Sequence, residues 1–299
     1  MHHQRRIGKY RVNEIIWGYL FILPTAVGLI VLNIKPAIDT IYMSFNKSAG
    51  FGRMTWTGLD NYKRLMADPE VWQSLLNTLK YSVIAVPLIV VFSLIVAVLM
   101  NQKIKGLSVY RTLYFLPVVA APAAVAMIWK WLFNSNYGLI NQLLANFGVK
   151  PINWLSNPDI AIYTVIIVGV WSAIGYNMVL LIAGLQDIPN DYYESAEIDG
   201  AGPIRQFFTI TLPLVTPTLF FVVVTTVIGA FQVFDTIFMM VRQDTDAMYK
   251  TQSLAYLFYK YSFILNDKGY GSAIVVLLLG IILIITAIQL KLQKKWVYY

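Results

Sequence analysis

Few side chains in this 299-residue chain are equipped for chemistry, and they fall into two groups. The first is acidic. Asp187, Asp191, Glu194, Glu197 and Asp199 crowd one short stretch, with Tyr192, Tyr193, Ala196 and Ala201 interleaved. That reads as a short helix with an aromatic side and an acidic side, stopped by Gly200 and Gly202. The helix should end at Gly200 with positive φ, because the chain turns there. The second group lies within apolar runs: Trp171, Ser172, Tyr176 and Asn177, then Thr225, Thr226, Phe231, Gln232 and Asp235. Ser172 and Tyr176 are four apart and share a helix face. Aromatic surfaces with hydroxyl and amide hydrogen bonds are the chemistry that holds sugars. The competing explanation is helix packing, with Ser and Thr as interhelical donors.

Catalytic and metal chemistry has little to stand on. There is no Cys, so neither a disulfide framework nor a thiolate site can form. The histidines, His2 and His3, lie in the N-terminal tail, away from any Ser/His/Asp set. No G-x-x-x-x-G-K-[ST] string is present to cradle nucleotide phosphates, and no H-E-x-x-H spacing to hold zinc. The expectation is a chain that is not an enzyme and binds no cofactor or metal.

The elements that must position these residues are membrane helices. Hydrophobic residues make up 58% of the chain and charged residues 13%, about half the charged share of a soluble domain. Runs free of charge, each long enough for about 20 apolar residues, mark the spans. They lie between Glu14 and Lys35, Lys80 and Lys103, Arg111 and Lys130, Asp159 and Asp187, and Lys268 and Lys291; one more runs from Pro213 to Met240, broken only by Asp235. The expectation is an all-α polytopic membrane protein with six transmembrane helices. A tail at 1–14 precedes one membrane domain at 15–299, and no water-soluble domain is added. The mixed segment from Ile34 to Asn46 is expected to carry the first helix past the bilayer, and that helix's apolar run is too long for a cleaved signal peptide. Pro24, Pro87, Pro117, Pro122 and Pro217 fall inside spans and permit kinks. A straight helix from Pro213 at about 1.5 Å per residue puts Asp235 roughly 33 Å along, at its outer end.

Basic residues orient the chain. Arg5, Arg6, Lys9 and Arg11 precede the first span; Lys103, Lys105 and Arg111 lie between the second and third; Lys291, Lys294 and Lys295 follow the last. All share one side if both termini are cytoplasmic, and that places the acidic loop after the fourth span in the cytoplasm. Lys47, Arg53, Lys63 and Arg64, on the other side, are interspersed with Asp60, Asp68 and Glu70. The net charge of +8 then faces anionic lipid rather than nucleic acid.

The acidic loop also carries a family pattern. Glu194-Ser195-Ala196, three residues, Gly200, nine residues, then Ile210-Thr211-Leu212-Pro213 resembles the EAA loop of ABC importer permeases. Every spacing matches, with Ser195 in place of the first Ala. Further strings resemble the sugar-type branch and keep its order: Thr57-Gly58-Leu59-Asp60-Asn61-Tyr62, Leu76-Asn77-Thr78-Leu79, Arg111 to Pro117, Asn153-Trp154-Leu155, Ala183-Gly184-Leu185-Gln186 and Phe231-Gln232-Val233-Phe234-Asp235. The chain departs from that branch after the fifth span, where a Gly-Gly-Pro loop is replaced by Val241 to Asp246. The resemblance implies a type I importer permease fold in the bacterial or archaeal cell membrane. It implies that the loop at 191–213 is a cytoplasmic coupling helix docked on an ATPase, through Tyr193, Glu194, Ser195, Ala196, Asp199, Gly200, Ala201, Gly202 and Pro213. It makes the two flanking helices the solute path, with Trp171, Ser172, Tyr176, Asn177, Thr226, Phe231, Gln232 and Asp235 as candidates. The implied partners are a second homologous permease, identical or different, two ATPase subunits that carry ATP and Mg, and an extracytoplasmic binding protein.

Two other classes remain open at the level of sequence. An ion-coupled carrier needs intramembrane charge, and Asp235 is its one candidate. A channel needs a ring of charges or a filter-like Gly string, and neither occurs. Orientation is directly measurable. A reporter fused after Arg205 should be cytoplasmic and one near Asp60 external; the reverse at either site contradicts the topology.

Overall fold

The computed structural model describes residues 2–48, 54–102 and 105–297. The side chains up to residue 12, including those of His2, His3 and the basic tail, lie outside the described residues, as do Arg53 and Lys103. In chain order the helices are α1 (His2–Leu29), α2 (Lys35–Ser44), α3 (Asp60–Ala67), α4 (Pro69–Met100), α5 (Leu107–Val119), α6 (Pro122–Leu132), α7 (Leu139–Ala145) and α8 (Ala161–Gln186). There follow α9 (Asn190–Ile198), α10 (Pro203–Gln206), α11 (Leu212–Leu214), α12 (Thr216–Phe231), α13 (Asp235–Met240), α14 (Asp246–Tyr249), α15 (Leu254–Tyr259) and α16 (Lys268–Gln293). Between α2 and α3 the strands β1 (Asn46–Ser48) and β2 (Met54–Trp56) pair antiparallel, Asn46 opposite Trp56. Sequence periodicity gave no sign of this ribbon.

Among the described residues four helical stretches are long and apolar enough to cross a membrane: Asn13–Ser44, Pro69–Met100, Ala161–Gln186 and Lys268–Gln293. Two bent pairs, α5 with α6 and Pro203–Leu214 with α12, bring the number to six if each pair is one crossing. The first stretch continues to Ser44 through a π-helical turn at Ile30–Ile34.

Two expected helices are not continuous. The span between Arg111 and Lys130 bends by 101° at Ala120 and Ala121. Pro122 causes this: its ring excludes the α region for the residue before it, and it has no N–H to give the preceding turn. Ala120 and Ala121 are accordingly extended, with ψ of 143° and 130°. Pro24, Pro87 and Pro117 remain inside their helices, whereas Pro217 sits in the first turn of α12. The span from Pro213 to Met240 is bent by 68° near Val215 and then stops at Phe231. Gln232 to Phe234 leave the helical register, and Phe234 adopts φ −138° before α13 begins at Asp235.

α4 and α8 form the centre and run in the same direction. At one end Tyr81, Ala85 and Ile89 pack on Ile162, Val165 and Ile166; at the other Val96, Ala97 and Met100 pack with Met178, Leu181 and Leu185. Gly175 lets α8 meet α5 closely, since a Cβ there would run into the backbone carbonyl of Tyr114. Membrane helices gain little from excluding water from one another, so such close approach supplies the packing.

The end of the bundle away from α9 is tied by a polar network. Asp68 caps α4 by accepting from the Glu70 N–H at 2.9 Å, and it accepts from the Tyr270 hydroxyl at 2.7 Å. Glu70 accepts from Lys260 at 2.6 Å and from Tyr261 at 3.2 Å. Arg64 bonds Asp267 at 2.7 Å and lies 3.8 Å from the Tyr270 ring centroid. Burial first, then the carboxylates of Asp68 and Glu70, push the Tyr261 phenol up to about 12, so it stays a donor. The network joins α3 and α4 to α16 and to the π-helical turn at Lys260–Ile264 that follows α15. The Glu70–Lys260 pair keeps only 20% and 28% of its side-chain surface exposed. Glu70→Ala should therefore cost about 2 kcal/mol, because Lys260 loses its partner. Asp60→Ala, which breaks the exposed pair with Lys63, should cost under about 0.5 kcal/mol. Thermal midpoints in detergent compare the two; equal midpoints would contradict a clamping role.

Candidate functional site

The two helix breaks and the polar part of α8 meet around one cavity of about 470 Å³, within the range of small-molecule sites. Ser172, Tyr176 and Asn177 of α8, Thr225 and Thr226 of α12, and Gln232 and Asp235 from the second break all line it. Ala120 and Pro122, from the first break, close another side. Asn177 donates to Thr226 Oγ1 at 3.3 Å, bridging α8 and α12 at the wall. Asp235 is the one carboxylate among the described lining residues, and no Lys or Arg accompanies it. A straight helix would have carried Asp235 outward; the break at Gln232 turns the chain and brings it to the cavity.

Two sequence candidates are elsewhere. Trp171 packs edge-on against Trp129, with ring centroids 5.3 Å apart, and does not line the cavity. Phe231 is buried among Leu254, Leu257 and Tyr270. Tyr81 of α4, which sequence reasoning missed, does line the cavity. A signal for it existed: Ser74, Thr78, Tyr81 and Ala85 make a small and polar stripe at helical spacing along an otherwise apolar segment.

The acidic loop is more ordered than a connection requires. α9 ends in a Schellman turn: Ala201 N–H donates to the Ala196 carbonyl at 2.8 Å and Gly200 N–H to the Glu197 carbonyl at 3.0 Å. Gly200 has φ 74°, the left-handed conformation that a glycine adopts without cost. The Gln206 amide then donates to the Ala201 carbonyl at 2.9 Å and holds the turn against α10. Ser195 donates to the Asp191 carbonyl at 2.8 Å, so its hydroxyl is spent within the helix. Tyr193 is the anchor. It packs with Leu181, Ile188, Ile210 and Val215, and its hydroxyl lies 3.0 Å from Thr211 Oγ1.

The opposite side of the loop is bare. Glu194, Asp199 and Gly202 are exposed, Ala196, Ala201 and Pro213 half-buried. Ile198 is 88% exposed and Ile204 77%. Among the described residues no cation pairs with Glu194, Glu197 or Asp199. The arrangement has one anchored face, tied to the ends of α8 and α12, and one free face that combines carboxylates with large apolar side chains.

Residues 65–298 match the family described as binding-protein-dependent transport system inner membrane component. The chain belongs to this family. It is 36% identical over 285 residues to the probable ABC transporter permease protein YesP of Bacillus subtilis, covering 94% of this chain and 92% of that protein. It is 35% identical over 287 residues to the trehalose/maltose transport system permease protein MalF of Thermococcus litoralis, covering 96% of each. Its fold matches the crystal structure of a bacterial ABC transporter involved in import of the acidic polysaccharide alginate, with a TM-score of 0.84 at 20% identity over 97% of this chain and 99% of that one. The chain is thus a membrane-embedded permease with the ABC importer fold.

Gly200 gives a test of the loop. A Cβ there meets nothing within 4 Å, so any effect of substitution comes from backbone strain alone. Gly200→Val should cost about 1–2 kcal/mol locally and speed amide exchange in α9, with insertion into the membrane unchanged. Gly200→Asn should be tolerated. Equal exchange in all three proteins would contradict the strained turn.

Proposed function

We propose that this chain is the permease subunit of an ATP-driven sugar importer and that its cavity is part of the solute path. The observation that carries this is the placement of the cavity between the two helices that flank the anchored loop. Its walls offer amide, hydroxyl and aromatic groups, the combination that binds a polyol through hydrogen bonds and apolar ring faces. The trehalose/maltose relative supports a sugar of that size class, a di- or oligosaccharide. The free face of α9 would seat a separate ATPase subunit, which holds ATP and Mg. A second permease, identical or different, would complete the path. The bare surface of Asn13–Ser44, none of it buried within its own chain in its most apolar window, offers area for that contact or for lipid. An extracytoplasmic binding protein would deliver the sugar at the end of the bundle bearing the Glu70 network, with both termini and α9 in the cytoplasm.

In this reading the chain performs no bond chemistry. ATP-driven closure of the partner subunits moves α9, and Tyr193 passes that motion to α8 and α12, whose polar faces hold the solute. Alternating access follows when the two ends of the cavity open in turn.

Asp235 in the cavity wall is the observation that favours the competing class, an ion-coupled carrier. The energy source separates the two. In vesicles carrying the whole importer, uptake of labelled maltose or trehalose should require internal ATP and survive a protonophore. Uptake driven by a proton or sodium gradient without ATP would overturn the importer reading. Tyr176→Ala or Gln232→Ala should reduce uptake severalfold while the complex assembles normally; loss of the complex would mean that these residues only pack.

A further inference from the structure

α4 contributes a third polar wall to the cavity through a single side chain. The Tyr81 ring is held in the core between Ala85 and the α8 residues Val165 and Ile166, and the residue is only 5% exposed. Its surface nonetheless forms part of the cavity lining. Among the described residues no group hydrogen-bonds to its hydroxyl, whereas Thr78, one turn earlier on α4, donates to the Ser74 carbonyl and accepts from the Leu254 N–H; the small Ser82 hydroxyl is also unpartnered but, unlike Tyr81, does not line the cavity. A hydroxyl removed from water without a partner costs about 1–3 kcal/mol. A packed tyrosine whose oxygen reaches only the cavity is therefore satisfied by what the cavity holds.

The site is built to admit that oxygen. It lies against Gly169, where any Cβ would collide with it. Gly169 itself lines the cavity one turn before Ser172 and Ala173 on α8. A phenylalanine at 81 would fill the same core position with the same apolar contacts, so packing does not account for the hydroxyl. Its direction toward Gly169 places it near the Ser172 side of α8, while Asn177, Thr226 and Gln232 offer their groups from α8, α12 and the second break.

We infer that Tyr81 is a specificity-determining residue whose hydroxyl hydrogen-bonds a hydroxyl of the transported sugar, with Gly169 holding open the space for that contact. This rests on the reading of the cavity as the solute path. It adds α4 to the helices that recognise solute and makes the pair Tyr81 and Gly169 a polar contact point opposite the amides.

The test uses the complete importer in proteoliposomes with binding protein, with labelled maltose, trehalose and arabinotriose as probes. Readouts are solute retained by the ATP- and vanadate-trapped complex, solute moved per ATP hydrolysed, and complex yield. Tyr81→Phe should lower retention of the transported probe about three- to tenfold, the loss of one hydrogen bond, with yield and thermal midpoint unchanged. Gly169→Ala should lower retention in the native background and much less in the Tyr81→Phe background, because removing the hydroxyl frees the space. Unchanged retention in Tyr81→Phe, or a loss of yield without a change in retention, overturns the inference. Tyr176→Ala in parallel distinguishes the failures. If it lowers retention while Tyr81→Phe does not, only the role of Tyr81 falls. If neither does, or if the native importer retains no probe, the sugar-path reading falls with it.

Discussion

Inside a bilayer a backbone N–H or C=O has no water to turn to, so a helix can be broken only where protein or a wet cavity satisfies the freed groups. The architecture of this chain follows from that constraint. Two of its interruptions, at Ala120–Ala121 and at Gln232–Phe234, lie in the wall of the same cavity. The breaks and the cavity require each other. The cavity makes irregular backbone tolerable, and the irregular backbone gives the cavity polar groups that a continuous apolar helix would bury or turn toward lipid.

The same constraint governs the side chains. Asn177 and Thr226 satisfy one another across α8 and α12. At the far end of the bundle Lys260, Tyr261 and Tyr270 gather around the carboxylates of Asp68 and Glu70. The loop at the other end obeys different rules because it meets water. There a Schellman turn at Gly200 fixes the shape of α9, and Tyr193 fixes its position on the bundle. In the proposed mechanism these two anchoring devices make α9 a lever. A push on its free face reaches α8 and α12 without first being absorbed by a flexible connection.

Much of this was legible in the residues. Charge-free runs located the apolar helices because charge is what the hydrocarbon excludes. The spacing from Glu194 to Pro213 identified the loop, and the positive φ at Gly200 followed from the need to turn. What was hidden was the course of the chain inside the apolar runs. Hydropathy does not change at Ala120 or at Gln232, so a straight helix is the natural expectation. Pro122 follows the break in its span and Pro217 follows the bend at Val215, whereas Pro24, Pro87 and Pro117 lie inside their helices. Asp235 was a solute-path candidate, but with the second break invisible a straight helix placed it at the outer end. Phe231 looked equivalent to Gln232, yet adjacent residues at a helix end face different ways, and Phe231 fell into the core. Tyr81 lies outside the two helices that flank the loop, and the wall that the cavity takes from α4 has no mark in mean hydropathy.

In the proposed mechanism the free face of α9 receives the energy-supplying partner. The chain has no cysteine, so one introduced residue provides a unique attachment point. Ile198 is 88% exposed on that face, and Phe147, 83% exposed, lies beyond the start of α8 at the other end of the bundle. In the intact importer, a short thiol-to-amine cross-linker on Ile198→Cys should join this chain to the ATPase subunit, with a yield that changes on adding ATP. The same reagent on Phe147→Cys should not. An adduct with the ATPase from Phe147→Cys, or none from Ile198→Cys in a complex that still hydrolyses ATP and transports, would contradict the account.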